Sequence, residues 1–363
     1  MIIIGRDTNI LMRKLKILIT GGAGFVGSHL ANRLYAMGHH VSVIDNLSCG
    51  FRDSLFSGIP FYQIDLADSA GIQVAKAEQV FQSHGPFQAV FHLASLISVK
   101  ESCEKPELYF RNNLESLKTI LELCKKFQSY NFIMASSGSI YGYQKNLLPF
   151  SEDVKPNPIS PYSESKLQCE YILKSFHHDP KFKSIILRYS NVAGSALNLN
   201  NGQRTAVPYH VFHRASMTQV GIFPHNTVFG YDYPTHDGTA VRDFIHIEDL
   251  VTLNTCAMNY LLEQNSPLEI PIINAGANFP MSVLNVFNTV NSLFHSRFGQ
   301  KEIHFANRRL GDPAYLVSDS QLARKILGFF PEWTNGHNIT TSSVLWLQKF
   351  HQKNNSSSLE PSL

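Results

Sequence analysis

A short apolar run, Lys16 to Thr20, breaks into Gly21-Gly22-Ala23-Gly24-Phe25-Val26-Gly27. Helical periodicity then runs from Ser28 to Met37 and stops at Gly38. A buried strand, a glycine turn and a helix in that order leave few folds open. Gly21, Gly24 and Gly27 let the backbone turn tightly. They bring the N–H groups of Phe25 and Val26, at a helix N-terminus, up to a pyrophosphate. Asp45 stands 18 positions after Gly27 and ends a second apolar run, Val41 to Ile44. A carboxylate there accepts hydrogen bonds from ribose hydroxyls and repels a 2′-phosphate, which favours NAD over NADP.

The pattern then repeats. Phe61 to Ile64, Ala89 to Ala94, Asn131 to Ala135 and Ser184 to Tyr189 read as further strands. Helical stretches lie between them, notably Asn113 to Phe127 and Pro161 to Lys174. Such alternation over roughly 180 residues predicts a Rossmann-like, doubly wound parallel sheet with helices on both faces, an α/β fold. In such sheets ligands gather beyond the carboxyl ends of the strands. Asp45, Asp65, Leu93-Ala94 and Ser136-Ser137 all fall at those ends. From Gly194 to Pro234 the pattern loosens. A cofactor domain is therefore expected over residues 13–189 and a smaller α/β substrate lobe over 190–350. Residues 1–12 read as an N-terminal extension, since Met12 leads directly into the first strand. Residues 351–363 read as a polar, frayed tail.

Composition excludes several classes. Of 363 residues 44% are hydrophobic and 16% charged, which is globular usage. A net charge of +3 is too small to indicate nucleic acid as a partner. No apolar run is long enough for a membrane span, and residues 1–11 lack the features of a signal peptide. The five cysteines form no C-x-x-C pair, which predicts buried, reduced thiols in a cytoplasmic protein. The 16 histidines are scattered. His39-His40 and His177-His178 are adjacent pairs that do not face one point, and His210 and His213 lack a third ligand. No metal site is expected.

Chemistry enters with Pro161-Tyr162-Ser163-Glu164-Ser165-Lys166. Tyr162 and Lys166 are four apart and share a helix face. A lysine cation there favours tyrosinate and can pull a phenol toward neutrality, making it a base near pH 7. Ser160 before Pro161 suits an N-cap followed by proline at the first helical position. The helix N-terminus adds positive potential. Ser137, at the end of the fifth strand, can hydrogen-bond the oxygen that Tyr162 deprotonates. A surface tyrosine, a solvated lysine and a turn serine would explain each residue alone. As a set beside a dinucleotide turn, they point to removal of an alcohol proton while hydride leaves its carbon for NAD+.

These residues carry a resemblance. Gly21 to Gly27, Asp45-Asn46-Leu47, Phe91-His92-Leu93-Ala94, Ser136 to Gly142 and the Tyr162/Lys166 pair resemble the extended short-chain dehydrogenase/reductase family. Arg188-Tyr189-Ser190-Asn191 is similar to its sugar-nucleotide arm. Phe229 to Thr239, Val241 to His246 and Arg308-Arg309-Leu310-Gly311-Asp312 look like the UDP-glucose 4-epimerases. The resemblance runs from about Lys16 to Trp346. It implies NAD as cofactor, lined by Gly21, Gly24, Phe25, Val26, Gly27, Asp45, Asn46, Asp65, Leu66, Leu93, Ala94, Asn113, Lys166 and Tyr189. It implies a UDP-hexose as substrate, held by Ser137, Tyr162, Asn191, Phe229, Arg242, Arg309 and Asp312. Guanidinium groups make paired hydrogen bonds to phosphate, which suits Arg242 and Arg309. Phe229 would stack on uracil and Asp312 would accept from the ribose. A salt bridge from Arg242 to Asp243 or Asp249 is the structural alternative. The implied activity is epimerisation at sugar carbon 4 through a 4-keto sugar, galactose to glucose, in a homodimer.

The chain departs from the family pattern in places. Ile97 stands where a lysine near the nicotinamide is common, with Lys100 three places on. Ser190 replaces a common Phe, and Leu316 occupies the position that admits or excludes an N-acetyl group. An N-acetylhexosamine substrate is thus the alternative. A 4,6-dehydratase would need Asp and Glu after the strand-end serine, where Gly138 and Ser139 stand. A non-catalytic NAD-sensing regulator would have no use for Tyr162 and Lys166 together.

Overall fold

The computed structural model describes residues 13–68, 71–143, 147–176, 179–205, 210–264, 269–309 and 311–357. The expected N-terminal extension (1–12), His177-His178, Leu310 and residues 358–363 lie outside these. The strands are, in chain order, β1 (Lys16–Thr20), β2 (His40–Asp45), β3 (Phe61–Gln63), β4 (Ala89–His92), β5 (Asn131–Ser137), β6 (Lys183–Tyr189), β7 (Asn191–Ala193), β8 (His225–Phe229), β9 (Val241–His246), β10 (Ile272–Ala275), β11 (Pro280–Ser282), β12 (Glu302–Ala306) and β13 (Tyr315–Leu316). The helices are α1 (Phe25–Ala36), α2 (Ile72–His84), α3 (Val99–Glu104), α4 (Pro106–Lys126), α5 (Pro161–Ser175), α6 (Val211–Gln219), α7 (Ile247–Glu263), α8 (Val283–Phe298), α9 (Gln321–Leu327) and α10 (Gly336–Ser357).

Among the described residues seven parallel strands form the main sheet, in the order β10-β6-β5-β4-β1-β2-β3. Side chains alternate across a strand. Ile17 and Ile19 therefore point into one core with α1 and α7, while Leu18 points into the other with Phe81, Leu117 and Leu173 from α2, α4 and α5. All three are fully buried. Burial of such a side chain contributes about 1.5–3 kcal/mol each, which explains why β1 tolerates no polar face. The predicted strands β1 to β6 and helix α1 are present with ends shifted by a few residues. Helix α4 begins at Pro106, about two turns before the expected Asn113, because Pro suits the first turn. Helix α5 begins at Pro161 as expected, with the Ser160 side chain accepting from Ser163 N at 3.2 Å.

The smaller region is built on β9, which pairs with β7, β11 and β13. Strands β8 and β12 pair in parallel beside it. Phe212, Phe244, Phe287 and Val344 fill a separate core between α6, α8 and α10. The chain does not stay in this region after residue 190. Helix α7 buries Leu250, Leu253 and Ala257 against the main sheet, and β10 pairs with β6. Residues expected in the substrate lobe thus complete the cofactor half. At the C-terminus α10 runs to Ser357, so the tail expected from 351 is helical for at least seven residues. Buried thiols hold for Cys124 and Cys169, but Cys49 and Cys103 are exposed and Cys256 is intermediate. The first two sit on a loop and a short helix, where no core is available to take a small apolar side chain.

Candidate active site

The glycine turn is shaped by backbone packing against backbone. Gly21 has φ +69°, and a Cβ there would lie 2.5 Å from Ala94 N. A Cβ on Gly27 would lie 2.2 Å from Gly21 O. Only hydrogen fits in either place. Gly24 caps α1 with no side-chain hydrogen bond and no acidic residue follows in the first turn, so the N–H groups of Phe25 and Val26 face an uncapped, positive helix end. Asp45 ends β2 and is buried. Its oxygens accept from Ala23 N at 2.9 Å and Leu47 N at 2.8 Å. Burial pushes its carboxyl up, against these N–H groups, which favour the charged form. A cradle that only glycine permits, an uncapped helix end and a buried carboxylate at the next strand end fit the two phosphates and the ribose of NAD.

Asn46 accepts from Ser48 N at 2.9 Å and Asp65 from Ala67 N at 3.0 Å, so each shapes the loop at its strand end. Leu66 is buried in the second core. Leu93 N donates to Thr20 O, and Ala94 packs on Gly21. Two expected cofactor residues are engaged elsewhere. Asn113 bonds both backbone groups of Leu96 and the Ser165 hydroxyl, at 2.9, 3.2 and 3.0 Å. It fixes the loop after β4. The Tyr189 hydroxyl donates to Asn254 Oδ1 on α7 at 2.7 Å. Ile97 is exposed, and so is the side chain of Lys100, which reaches Glu104 at 3.9 Å.

The expected catalytic residues lie at the carboxyl edge of β5, which Ser137 ends. Tyr162 lies near Ser137, whose hydroxyl favours the ionised phenol. Lys166, one turn along α5, donates to Ala135 O at 3.0 Å. The expected depression of the phenol is not found in the protein groups alone. Burial pushes Tyr162 up, with the Ser137 hydroxyl opposing it, and burial pushes Lys166 down. The ammonium is held by a backbone carbonyl, and spacing on a helix does not fix where its tip goes. Sequence reasoning missed the hydroxyls behind Ser137. Ser137 Oγ lies 2.9 Å from Ser139 Oγ, which accepts from Ser163 Oγ at 3.0 Å, and Ser163 lies 2.8 Å from the Ser160 cap. Two pairs of serines, 137/139 and 160/163, were the only signal.

Beneath this edge Glu170 binds Arg188 through two bonds of 3.0 and 2.8 Å and accepts from Ser136 Oγ at 2.7 Å. Arg188 also donates to Tyr141 at 2.9 Å. In the smaller region Arg242, Arg309, Asp312 and Phe229 do come together. Arg242 pairs with Asp312 and donates to Pro313 O at 2.7 Å. Its expected structural partners are used otherwise: Asp243 accepts from Phe279 N and Ser190 Oγ, and Asp249 from Glu332 N and Trp333 N. The Arg309 guanidinium lies 3.8 Å from the centroid of the Phe229 ring, on a face expected to meet a base. A flat cation stacks there as a base would. Asn191 donates weakly to Asp243 O at 3.4 Å. Leu316 packs against Ile140, Tyr141, Phe150 and Leu167.

A glycine-cradled dinucleotide turn, a Ser–Tyr–Lys edge and an arginine-lined second region define a class. The chain belongs to the NAD dependent epimerase/dehydratase family, whose model matches residues 17–276. Within it, the chain is similar to the UDP-glucose 4-epimerase of Azospirillum brasilense, at 33% identity over 93% of each chain. A crystal structure of a UDP-glucose 4-epimerase matches with TM-score 0.85 and 33% identity, over 92% of this chain and 98% of that one. The UDP-glucose 4-epimerase of Bifidobacterium longum, solved in complex with NAD+ and UDP, matches with TM-score 0.84 and 30% identity, over 92% and 98%.

Proposed function

We propose that this chain interconverts UDP-galactose and UDP-glucose by NAD-dependent epimerisation at sugar carbon 4. The observation that carries the reading is that Tyr162 and Lys166, one turn apart at the buried start of α5, meet Ser137 at the end of β5, in the sheet that also presents the glycine cradle. Tyr162 takes the proton of the 4-hydroxyl, and Ser137 holds that oxygen in line. NAD, which the glycine cradle, the N-terminus of α1 and Asp45 would hold, would supply the hydride acceptor and donor that the chain lacks. The 4-keto sugar turns before Tyr162 returns the proton. Ionising a buried phenol needs positive charge nearby. In this reading Lys166 and the N-terminus of α5 provide it.

Arg242 and Arg309 hold the pyrophosphate, Phe229 and Asp312 the uridine, and Asn191 the sugar side. This leaves the hexose free to rotate while UDP stays anchored. Elimination is disfavoured, because Ser139 stands where an acid would be needed and is bonded to Ser137 and Ser163. No described helix is long and apolar enough to cross a membrane. We place the chain in the cytoplasm, in galactose metabolism, as a homodimer packed through α4 and α5, where Tyr171 is exposed.

Purified protein supplied with UDP-galactose is expected to yield UDP-glucose and to elute at twice its 40.8 kDa mass. UDP-N-acetylgalactosamine in a parallel assay decides the acyl preference that Leu316 leaves open. Tyr162→Phe is expected to keep bound NAD and lose turnover by about 10²–10⁴-fold. Full activity in that variant would remove Tyr162 from the base role, and a 4-keto-6-deoxy product would replace epimerisation by elimination.

A further inference from the structure

We propose that Arg204 is a positioning residue that latches the loop of residues 46–56 to the C-terminal half and so slows the release of NAD. The inference depends on reading the glycine turn and Asp45 as the NAD site. Turn, carboxylate and loop form one unit. Ala23 N donates to Asp45, and Phe51 N donates back to Ala23 O at 2.9 Å. Gly50 is pressed on the same residue, since a Cβ there would lie 2.8 Å from the Ala23 carbonyl carbon. Opening the adenosine end therefore requires moving this loop.

Arg204 holds the loop from the other side of the molecule. Its Nη1 donates to Asp53 Oδ1 at 2.7 Å and to Ser54 Oγ at 3.4 Å. The guanidinium lies 4.1 Å from the centroid of the Phe51 ring and 4.9 Å from that of Phe350 on α10. One cation thus touches two rings, one from the cofactor loop and one from the last helix. The Asp53 side chain is 73% exposed, so the ion pair alone contributes little, and the stacking on two faces matters more. The segment that carries Arg204 is itself tied down. Asn201 Nδ2 donates to Ser28 Oγ on α1 at 2.9 Å, and Lys349 on α10 reaches Asn200 Oδ1 at 3.2 Å. The Asn201–Ser28 bond thus anchors the segment that carries Arg204, while Asn32 on α1 holds only the far end of the loop, at Ser54 O and Phe56 N.

The test is the rate at which the purified holoenzyme exchanges bound NAD for radiolabelled NAD. Arg204→Ala is expected to exchange about tenfold faster than the unaltered protein, because a lost contact acts mainly on dissociation. Arg204→Lys keeps the charge but not the flat stacking surface, and an intermediate rate is expected. Asp53→Asn, at an exposed position the fold tolerates, is expected to quicken exchange by less than threefold. Lys349→Ala removes an exposed bond from α10 that touches neither Arg204 nor the loop, leaves the Asn201–Ser28 anchor in place, and is expected to leave the rate unchanged. Equal rates for Arg204→Ala and the unaltered protein, with NAD retained by both, would overturn the role of Arg204. So would an equal acceleration in Lys349→Ala, which would reduce Arg204 to general support of the fold. An unaltered protein that holds no NAD would instead overturn the reading of the site itself, and the latch with it.

Discussion

Arg188 and Glu170 meet inside the cofactor half with side chains 3% and 1% exposed, whereas Arg242 and Asp312 meet in the substrate region at 11% and 31%. Both are arginine–carboxylate pairs, yet they differ in what surrounds them. Around the first, Ser136 and Tyr141 add hydrogen bonds, and burial keeps a ligand from reaching the pair. The second has the Val241 and Pro313 carbonyls on one side and keeps its Asp312 partly exposed. A closed pair fixes geometry, while a half-open pair can exchange its partner for a phosphate. Under the function proposed above, the two regions divide the labour: the cofactor half binds largely through backbone, and the smaller region through side chains.

The contrast can be broken by experiment. Glu170→Ala leaves a buried guanidinium unpaired and is expected to cost about 3–5 kcal/mol of unfolding free energy in urea titrations. A loss below 1 kcal/mol would show that water reaches Arg188. Arg242→Ala is expected to raise KM for the UDP-sugar roughly 10–100-fold, the worth of charged hydrogen bonds to phosphate, with less than about 1 kcal/mol lost in stability. A stability loss as large as that of Glu170→Ala would erase the distinction between the pairs.

The smallest effect concerns acid. Burial pushes His92 and His246 down to about 3 and His213 down to about 4, from 6.5 in the unfolded chain. Between those values and 6.5 the unfolded chain binds protons that the folded one refuses, so stability falls as pH drops below 6.5. Buried Asp45, Asp243 and Asp249, pushed up by burial, act with the opposite sign. Each histidine accounts for roughly half a kcal/mol between pH 7 and 6. His213→Leu, in the substrate region, is expected to shrink the difference in unfolding free energy between these pH values by that amount. An unchanged difference would mean that His213 accepts its proton in the fold.

Much of the cofactor half was legible because its determinants are local. Residues 16–45 hold a strand, a turn and a carboxylate in one stretch, and only glycine can occupy positions 21 and 27. The start of α5 was legible from Ser160-Pro161 for the same reason. What the sequence hid was long-range. The run Ile272–Ala275 carries no local signal that ties it to β6, so it fell within the lobe expected over 190–350. Arg242 and Asp312 lie 70 residues apart, and no local rule selects that pairing over Asp243. The direction of the Lys166 ammonium depends on a carbonyl 31 residues away. Epimerase likeness came from the resemblance of the Phe229 to His246 block, and the family match to residues 17–276 bears out the family.

The route of the chain has a practical consequence for anyone who would re-engineer its specificity. After β6 the polypeptide leaves the large sheet, comes back through α7 and β10, and leaves again. No single cut yields two self-sufficient pieces, because a break at 190 strips the large sheet of an edge strand and bares Ile186 and Leu187. Grafting a relative's sugar-recognising part onto this scaffold must therefore respect several junctions at once, and individual substitutions offer the simpler path to a new donor sugar.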